Sequence, residues 1–96
     1  MKVTCVIPTF NEQEVIGSLI KEIKKVCDYD ILVVDDGTDT TETIAWMEGA
    51  EVIRGRNKGL GQAIIDGINY AKTPIVLVMD ADLSHPPSAI PRMIEP

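Results

Sequence analysis

Apolar positions along this chain follow two alternating rhythms. Residues 3–8, 31–34, 51–53 and 75–79 are short and nearly unbroken by polar side chains, which marks strands buried on both faces. Between them the spacing turns helical. Val15, Ile16, Leu19, Ile20, Ile23 and Val26 recur on one face, while Lys21, Glu22, Lys24 and Lys25 fall on the wet side. A second, short helix is expected through about Met47, with Gly49 as its stop. A third runs to about Ala71 and places Ala63, Ile64, Gly67, Ile68 and Ala71 together, small residues that imply close approach to a sheet. Asn11 with Glu14, and Asp39 with Glu42, have the spacing of helix caps with capping boxes. A last helix is expected from near Ser88, with Pro91 tolerated in its first turn.

Strand and helix therefore alternate as βαβαβαβα with short loops. That alternation predicts an α/β fold: a mostly parallel open sheet with helices on both faces, three layers in all. Right-handed crossovers leave few topologies, and the expected strand order is 3-2-1-4. The chain then reverses direction between the first and fourth strands, opening a crevice at their carboxyl ends. Residues 8–12 and 80–84 would meet there, with Asp35 and Asp36 one strand away. The 96 residues suffice for one domain, without repeats or a linker.

Composition adds constraints. An apolar share of 45% and a charged share of 25% are ordinary for a globular chain. The net charge of −6 argues against nucleic acid and suits a cation or a metal-bound nucleotide. Cys5 and Cys27 lack metal-ligand spacing and read as reduced thiols, with a disulfide as the lesser alternative. No apolar run reaches the ~18 residues of a membrane span, and the N-terminus lacks a signal peptide's apolar region, so the expected location is the cytoplasm.

The candidate chemistry gathers where the fourth strand ends. Asp80 and Asp82, one residue apart, can share a divalent cation, and Mg²⁺ commonly keeps one or two protein carboxylates beside phosphate oxygens and water. The bland alternative is a solvated turn capping the last helix. Asp35-Asp36-Gly37 fits either a ligand contact or plain turn chemistry. Residues 54–61 (RGRNKGLG) could cradle phosphate on glycine amides, with Arg56 and Lys58 assisting. Equally, those glycines could serve helix–sheet packing; the spacing is not that of a P-loop. His85 beside Pro86-Pro87 reads as a structural hydrogen-bonding group, Asn11 as a helix cap, and Trp46 and Met47 as packing residues.

Four ordered blocks then carry a resemblance. Residues 6–12 (VIPTFNE), 33–38 (VVDDGT), 57–61 (NKGLG) and 79–86 (MDADLSHP) together resemble the nucleotide-binding half of family 2 glycosyltransferases, which have the GT-A fold. The run DADLSHPP looks most like the polyprenyl-phosphate (dolichyl-phosphate) mannosyltransferase branch. The resemblance implies that Pro8, Phe10 and Glu12 line the nucleotide pocket, with Phe10 where that branch often has Tyr. It implies that Val34 and Asp36 contact the nucleoside. Asp80 and Asp82 match the D-x-D metal site, Ala81 supplies a backbone contact between them, and Ser84 is a further metal position. The implied cofactor is Mg²⁺ or Mn²⁺, the donor a nucleoside diphosphate sugar such as GDP-mannose, the acceptor a lipid phosphate, and the outcome inversion by direct displacement. Family members run well past this point, so the acceptor half is expected to be absent and the chain alone to bind donor with little or no turnover. The free edge of the fourth strand could then pair with a second copy. Two other classes stand beside this one: a non-catalytic interaction module, and a haloacid-dehalogenase-type phosphotransferase with its nucleophile at Asp80.

Overall fold

In a computed structural model of the protein, residues 2–81 are described. The elements alternate as expected: β1 (Val3–Thr9), α1 (Ile16–Val26), β2 (Asp30–Asp35), α2 (Thr41–Met47), β3 (Glu51–Arg54), α3 (Leu60–Tyr70) and β4 (Ile75–Val78). The strands form one four-stranded sheet in the order β3-β2-β1-β4. Every pairing is parallel, with Cys5 beside Ile31 and Leu77, and Val34 beside Ile53. The expected last helix, with Pro91 and His85, lies outside the described residues.

The absence of polar alternation in β1 and β2 has a direct cause. Successive side chains point to opposite faces of a strand, and both faces are covered. Cys5, Ile7, Ile31 and Val33 join Ile16, Leu19, Ile20 and Ile23 of α1 in one apolar cluster. Val6, Leu32 and Val34 point the other way and join Ala63 of α3. The chain moves from β1 through β3 in one direction and then turns back to β4, so right-handed crossovers put α3 on the face opposite α1 and α2.

The two helical layers pack differently. The apolar stripe of α1 is fully buried at Ile16, Leu19, Ile20 and Ile23, while Val26 at its end is exposed. Against the other face, α3 approaches through small residues. A Cβ on Gly67 would stand 2.4 Å from Val6 Cγ1 and 3.1 Å from Val34 Cγ2, so only glycine allows this contact. Ile68, grouped with these by spacing, is exposed, because the contact line at Ala63 and Gly67 is too narrow to include it. Trp46 and Met47 also depart from expectation. They are 71% and 72% exposed, because α2 buries only Thr41 and Ala45.

Helix starts are the other departure. Asn11 and Glu14 do not cap α1, which begins at Ile16 after Val15 without a side-chain cap. Asn11 instead adopts φ 55° and gives its side-chain oxygen to the N–H groups of Thr38 and Asp39, a different loop. Asp39 does receive the N–H of Thr41 at the start of α2, but Glu42 turns to Arg54 instead of closing a box. At the far end of α2, Gly49 turns the chain as expected, at φ 91°.

Candidate functional site

Loops leaving the carboxyl ends of β1, β2 and β4 converge with the start of α3 around one cleft of about 510 Å³. Its lining includes Pro8 near the end of β1, Phe10 and Glu12 after it, Asp36 after β2, and Asp80 and Ala81 after β4. The main chain ties these ends together: Asp36 N–H donates to Thr9 O at 3.0 Å, and Met79 N–H to Val6 O at 3.0 Å. The crevice between β1 and β4 thus lies where the switch in strand direction puts it.

The four acidic positions at this rim differ in what they hold. Asp35 is fully buried and wholly engaged. Its Oδ1 accepts from Thr9 Oγ1 at 2.8 Å and Gly37 N–H at 3.1 Å, and its Oδ2 accepts from Arg54 Nη1 at 3.2 Å. Arg54 also reaches Glu42 at 2.7 Å, and that hydrogen bond, with the charges of Glu42, Asp35 and Asp36, holds the guanidinium above its ordinary range. Asp36, 8% exposed, is half engaged: Oδ1 accepts from Asn57 N–H at 3.1 Å, while Oδ2 accepts from no described residue. Glu12 donates its backbone N–H to Thr41 Oγ1 at 3.0 Å, which fixes the loop that carries it. Asp80 is exposed, and none of the described residues donates to its carboxylate.

Apolar surface completes the cleft. Phe10 is 63% exposed at its mouth, with Leu60 and Ala63 of α3 on the α3 side. Val34 is placed differently from the other anticipated residues. Its side chain is fully buried against Val6 and α3 and does not line the cleft. Asp82 and Ser84 lie outside the described residues. Among the described residues, no group of three or more His, Cys, Asp or Glu is placed to hold a metal.

The basic loop divides. Arg54 belongs to β3 and to the Asp35 network. Arg56 is clamped to α3 through two bonds to Asp66, Nε to Oδ2 at 3.0 Å and Nη2 to Oδ1 at 2.7 Å. That pair, with Gln62, holds the Asp66 carboxyl below its usual range. Arg56 and Lys58 are both absent from the cleft lining; Asn57 and Gly59 are present. Thr9, Asn57, Leu60 and Ala63 line the cleft without having been singled out as site residues, beside Gly59 of the anticipated glycine-rich loop. For Asn57 the readable signal was an Asn two residues before a glycine, a turn-forming pattern, and in the structure it adopts the left-handed region at φ 55°. Leu60 carried another, an apolar residue at a helix start with no buried face to join.

Comparisons with known proteins give the family and the fold. Residues 4–96 match the family model described as Glycosyl transferase family 2. The chain is 37% identical to the undecaprenyl-phosphate 4-deoxy-4-formamido-L-arabinose transferase of Edwardsiella ictaluri, a match covering 97% of this chain and 33% of that protein. It is 38% identical to the dolichol-phosphate mannosyltransferase of Pyrococcus furiosus, covering 99% and 30%. The chain thus spans about a third of the length of these curated relatives. Among solved structures, mannosyl-3-phosphoglycerate synthase from Rubrobacter xylanophilus superposes with a TM-score of 0.77 at 31% identity, covering 85% of this chain and 31% of that one. Glucosyl-3-phosphoglycerate synthase of M. tuberculosis gives 0.78 at 27% identity, covering 94% and 38%.

Proposed function

Because the chain belongs to glycosyl transferase family 2, we propose that its cleft is the donor site for a nucleoside diphosphate sugar, with GDP-mannose favoured. The sugar would pass with inversion to a polyprenyl phosphate, at the cytoplasmic face of a membrane. The observation that carries this reading is the meeting of Pro8, Phe10, Glu12, Asp36, Asp80 and Ala81 around one cleft. The relative from Pyrococcus furiosus, a dolichol-phosphate mannosyltransferase, supports the choice of sugar and acceptor.

Charge supports a metal in this reading. The lining contains Glu12, Asp36 and Asp80 and, among the described residues, no Lys, Arg or His. A diphosphate brought there alone would meet only like charge. Asp80, exposed and without a described hydrogen-bond donor, suits a hard cation that prefers oxygen. In this proposal Asp80, Asp82 and Ser84 hold Mg²⁺ or Mn²⁺. A cation bound there would offset the negative charge that develops on the departing diphosphate.

The chain's own residues then have separable tasks. Phe10 and Leu60 offer apolar surface to a base or sugar ring. Asp36 Oδ2 offers an acceptor to base or ribose hydrogens. Ala81 lines the cleft with a small side chain, which leaves its backbone nearest to a ligand seated there. A lipid phosphate acceptor arrives already ionised and needs little help from a general base.

The test is a calorimetric titration of GDP-mannose and UDP-glucose into the chain, with Mn²⁺ and with a chelator. Metal-dependent binding that favours GDP-mannose and is lost in Asp82→Ala supports the proposal. Binding that ignores both the metal and the substitution overturns it.

A further inference from the structure

Phe10 and Glu12 face the cleft, but Asn11 between them does not. It turns instead to a second hollow of about 410 Å³ shared with Gln13, Glu14 and Asp39, and Glu12 lines both. Its backbone is left-handed, φ 55°, a conformation Asn tolerates better than most residues. Its side-chain oxygen accepts from Thr38 N–H at 2.8 Å and Asp39 N–H at 3.2 Å. The adjoining Gly37 is pressed so close that an added Cβ would lie 2.5 Å from both the backbone nitrogen and the side-chain oxygen of Asn11.

The same two loops are stitched again alongside. Gln13 Oε1 accepts from Thr40 N–H at 3.1 Å and Thr40 Oγ1 at 2.7 Å. In return, Gln13 N–H donates to Asp39 Oδ2 at 3.2 Å. One loop carries Phe10 and Glu12; the other starts at Asp36. β1 and β2 align the loops as far as Thr9 and Asp35, and Asp36 N–H to Thr9 O adds one last main-chain tie. Beyond it, side chains bridging residues 11–13 to 37–41 set the spacing.

We propose that Asn11 is a positioning residue for the donor cleft, its carboxamide holding the Phe10–Glu12 rim at a fixed separation from Asp36. The inference rests on the donor-site reading above. A nucleoside spanning Phe10 and Asp36 gains from walls already at the right distance, and loses when they must be ordered on binding. Asn11 touches neither ligand nor metal in this account. It acts through Thr38, Asp39 and the short chain back to Asp36.

The experiment compares wild type with Asn11→Gly, which keeps the left-handed backbone and removes the carboxamide, and Asn11→Asp, which keeps the acceptor oxygen. GDP is titrated calorimetrically in the presence of Mn²⁺, well below each variant's melting temperature. Losing two hydrogen bonds that order the rim should weaken Asn11→Gly about tenfold, with Asn11→Asp within about threefold of wild type. Gln13→Ala, an exposed and milder change, should weaken binding about threefold by the same route. Amide exchange at Thr38 and Asp39 should quicken in Asn11→Gly and not in Asn11→Asp. A purely structural role would lower the melting temperature and leave the dissociation constant unchanged, and that result overturns the proposal. Unchanged exchange at Thr38 and Asp39 overturns it as well. A wild-type chain that binds no nucleotide with any metal sinks the donor-site reading, a failure distinct from wild-type binding that Asn11→Gly leaves intact.

Discussion

The carboxyl ends of β2 and β4 carry the same side chain at the same rim of the sheet and use it in opposite ways. At β2, Asp35 spends both oxygens on the protein, holding Thr9, Gly37 and Arg54. At β4, Asp80 is exposed and engages no described donor. Asp36 stands between these extremes, with one oxygen on Asn57 and one unclaimed. Residue type alone does not separate an architectural acid from one available to a ligand. The separation comes from how many donors the fold has already aimed at each oxygen.

That contrast can be broken by substitution. The largest effect is expected at Asp35. Its replacement by alanine strands Gly37 N–H, leaves Thr9 Oγ1 only a long bond to Val34 O, and deprives Arg54 of its buried partner, so denaturant unfolding should show a loss of about 3 kcal/mol. Asp80→Ala should do the reverse. Stability should stay within about 0.5 kcal/mol of wild type. Metal-dependent nucleotide binding should fall more than about a hundredfold by calorimetry, beyond the range that outer-shell changes around a metal commonly cost. Asp36→Ala should show both effects at smaller size, about 1 kcal/mol of stability for the bond to Asn57 together with weaker binding. If Asp35→Ala proves stable yet fails to bind, the division of labour drawn here is wrong.

The smallest effect is a matter of pH. Partial burial pushes the Asp39 carboxyl up, but hydrogen bonds from Thr41 and Gln13 outweigh it and leave the group below its ordinary value of 3.8. A depressed carboxyl contributes stability above its unfolded value and loses that contribution as pH falls through its folded one. Urea midpoints measured from pH 5 downward should therefore drop less steeply in Asp39→Asn than in wild type. An identical acid limb would show that Asp39 does not help hold the rim.

The sheet and the crevice were legible because they follow from short-range signals. Apolar runs broken by helical spacing imply parallel strands, and the hand of the crossover leaves few orders to choose from. The convergence of residues 8–12, 36 and 80 followed from topology alone. Asn11 shows where that kind of reading stops. Its spacing to Glu14 is that of a capping box, yet its oxygen serves Thr38 and Asp39, and no local rule sees a partner that far along the chain. Arg56 is similar: in a basic, glycine-rich loop it suggests phosphate, but the fold spends it on Asp66. Ile68, Trp46 and Met47 were misjudged for another reason. Periodicity marks the faces of a helix but not how wide a strip its neighbours cover.

The cleft walls come from positions as far apart in sequence as Pro8 and Ala81. Anything lodged among them works as a reversible cross-link over nearly the whole described chain. Occupancy should therefore register as heat resistance of the entire domain, climbing with the logarithm of ligand concentration and reaching about 2.7 kcal/mol at a hundredfold excess over the dissociation constant. A simple melting screen against nucleotides and metals would then report on binding without any assay of sugar transfer.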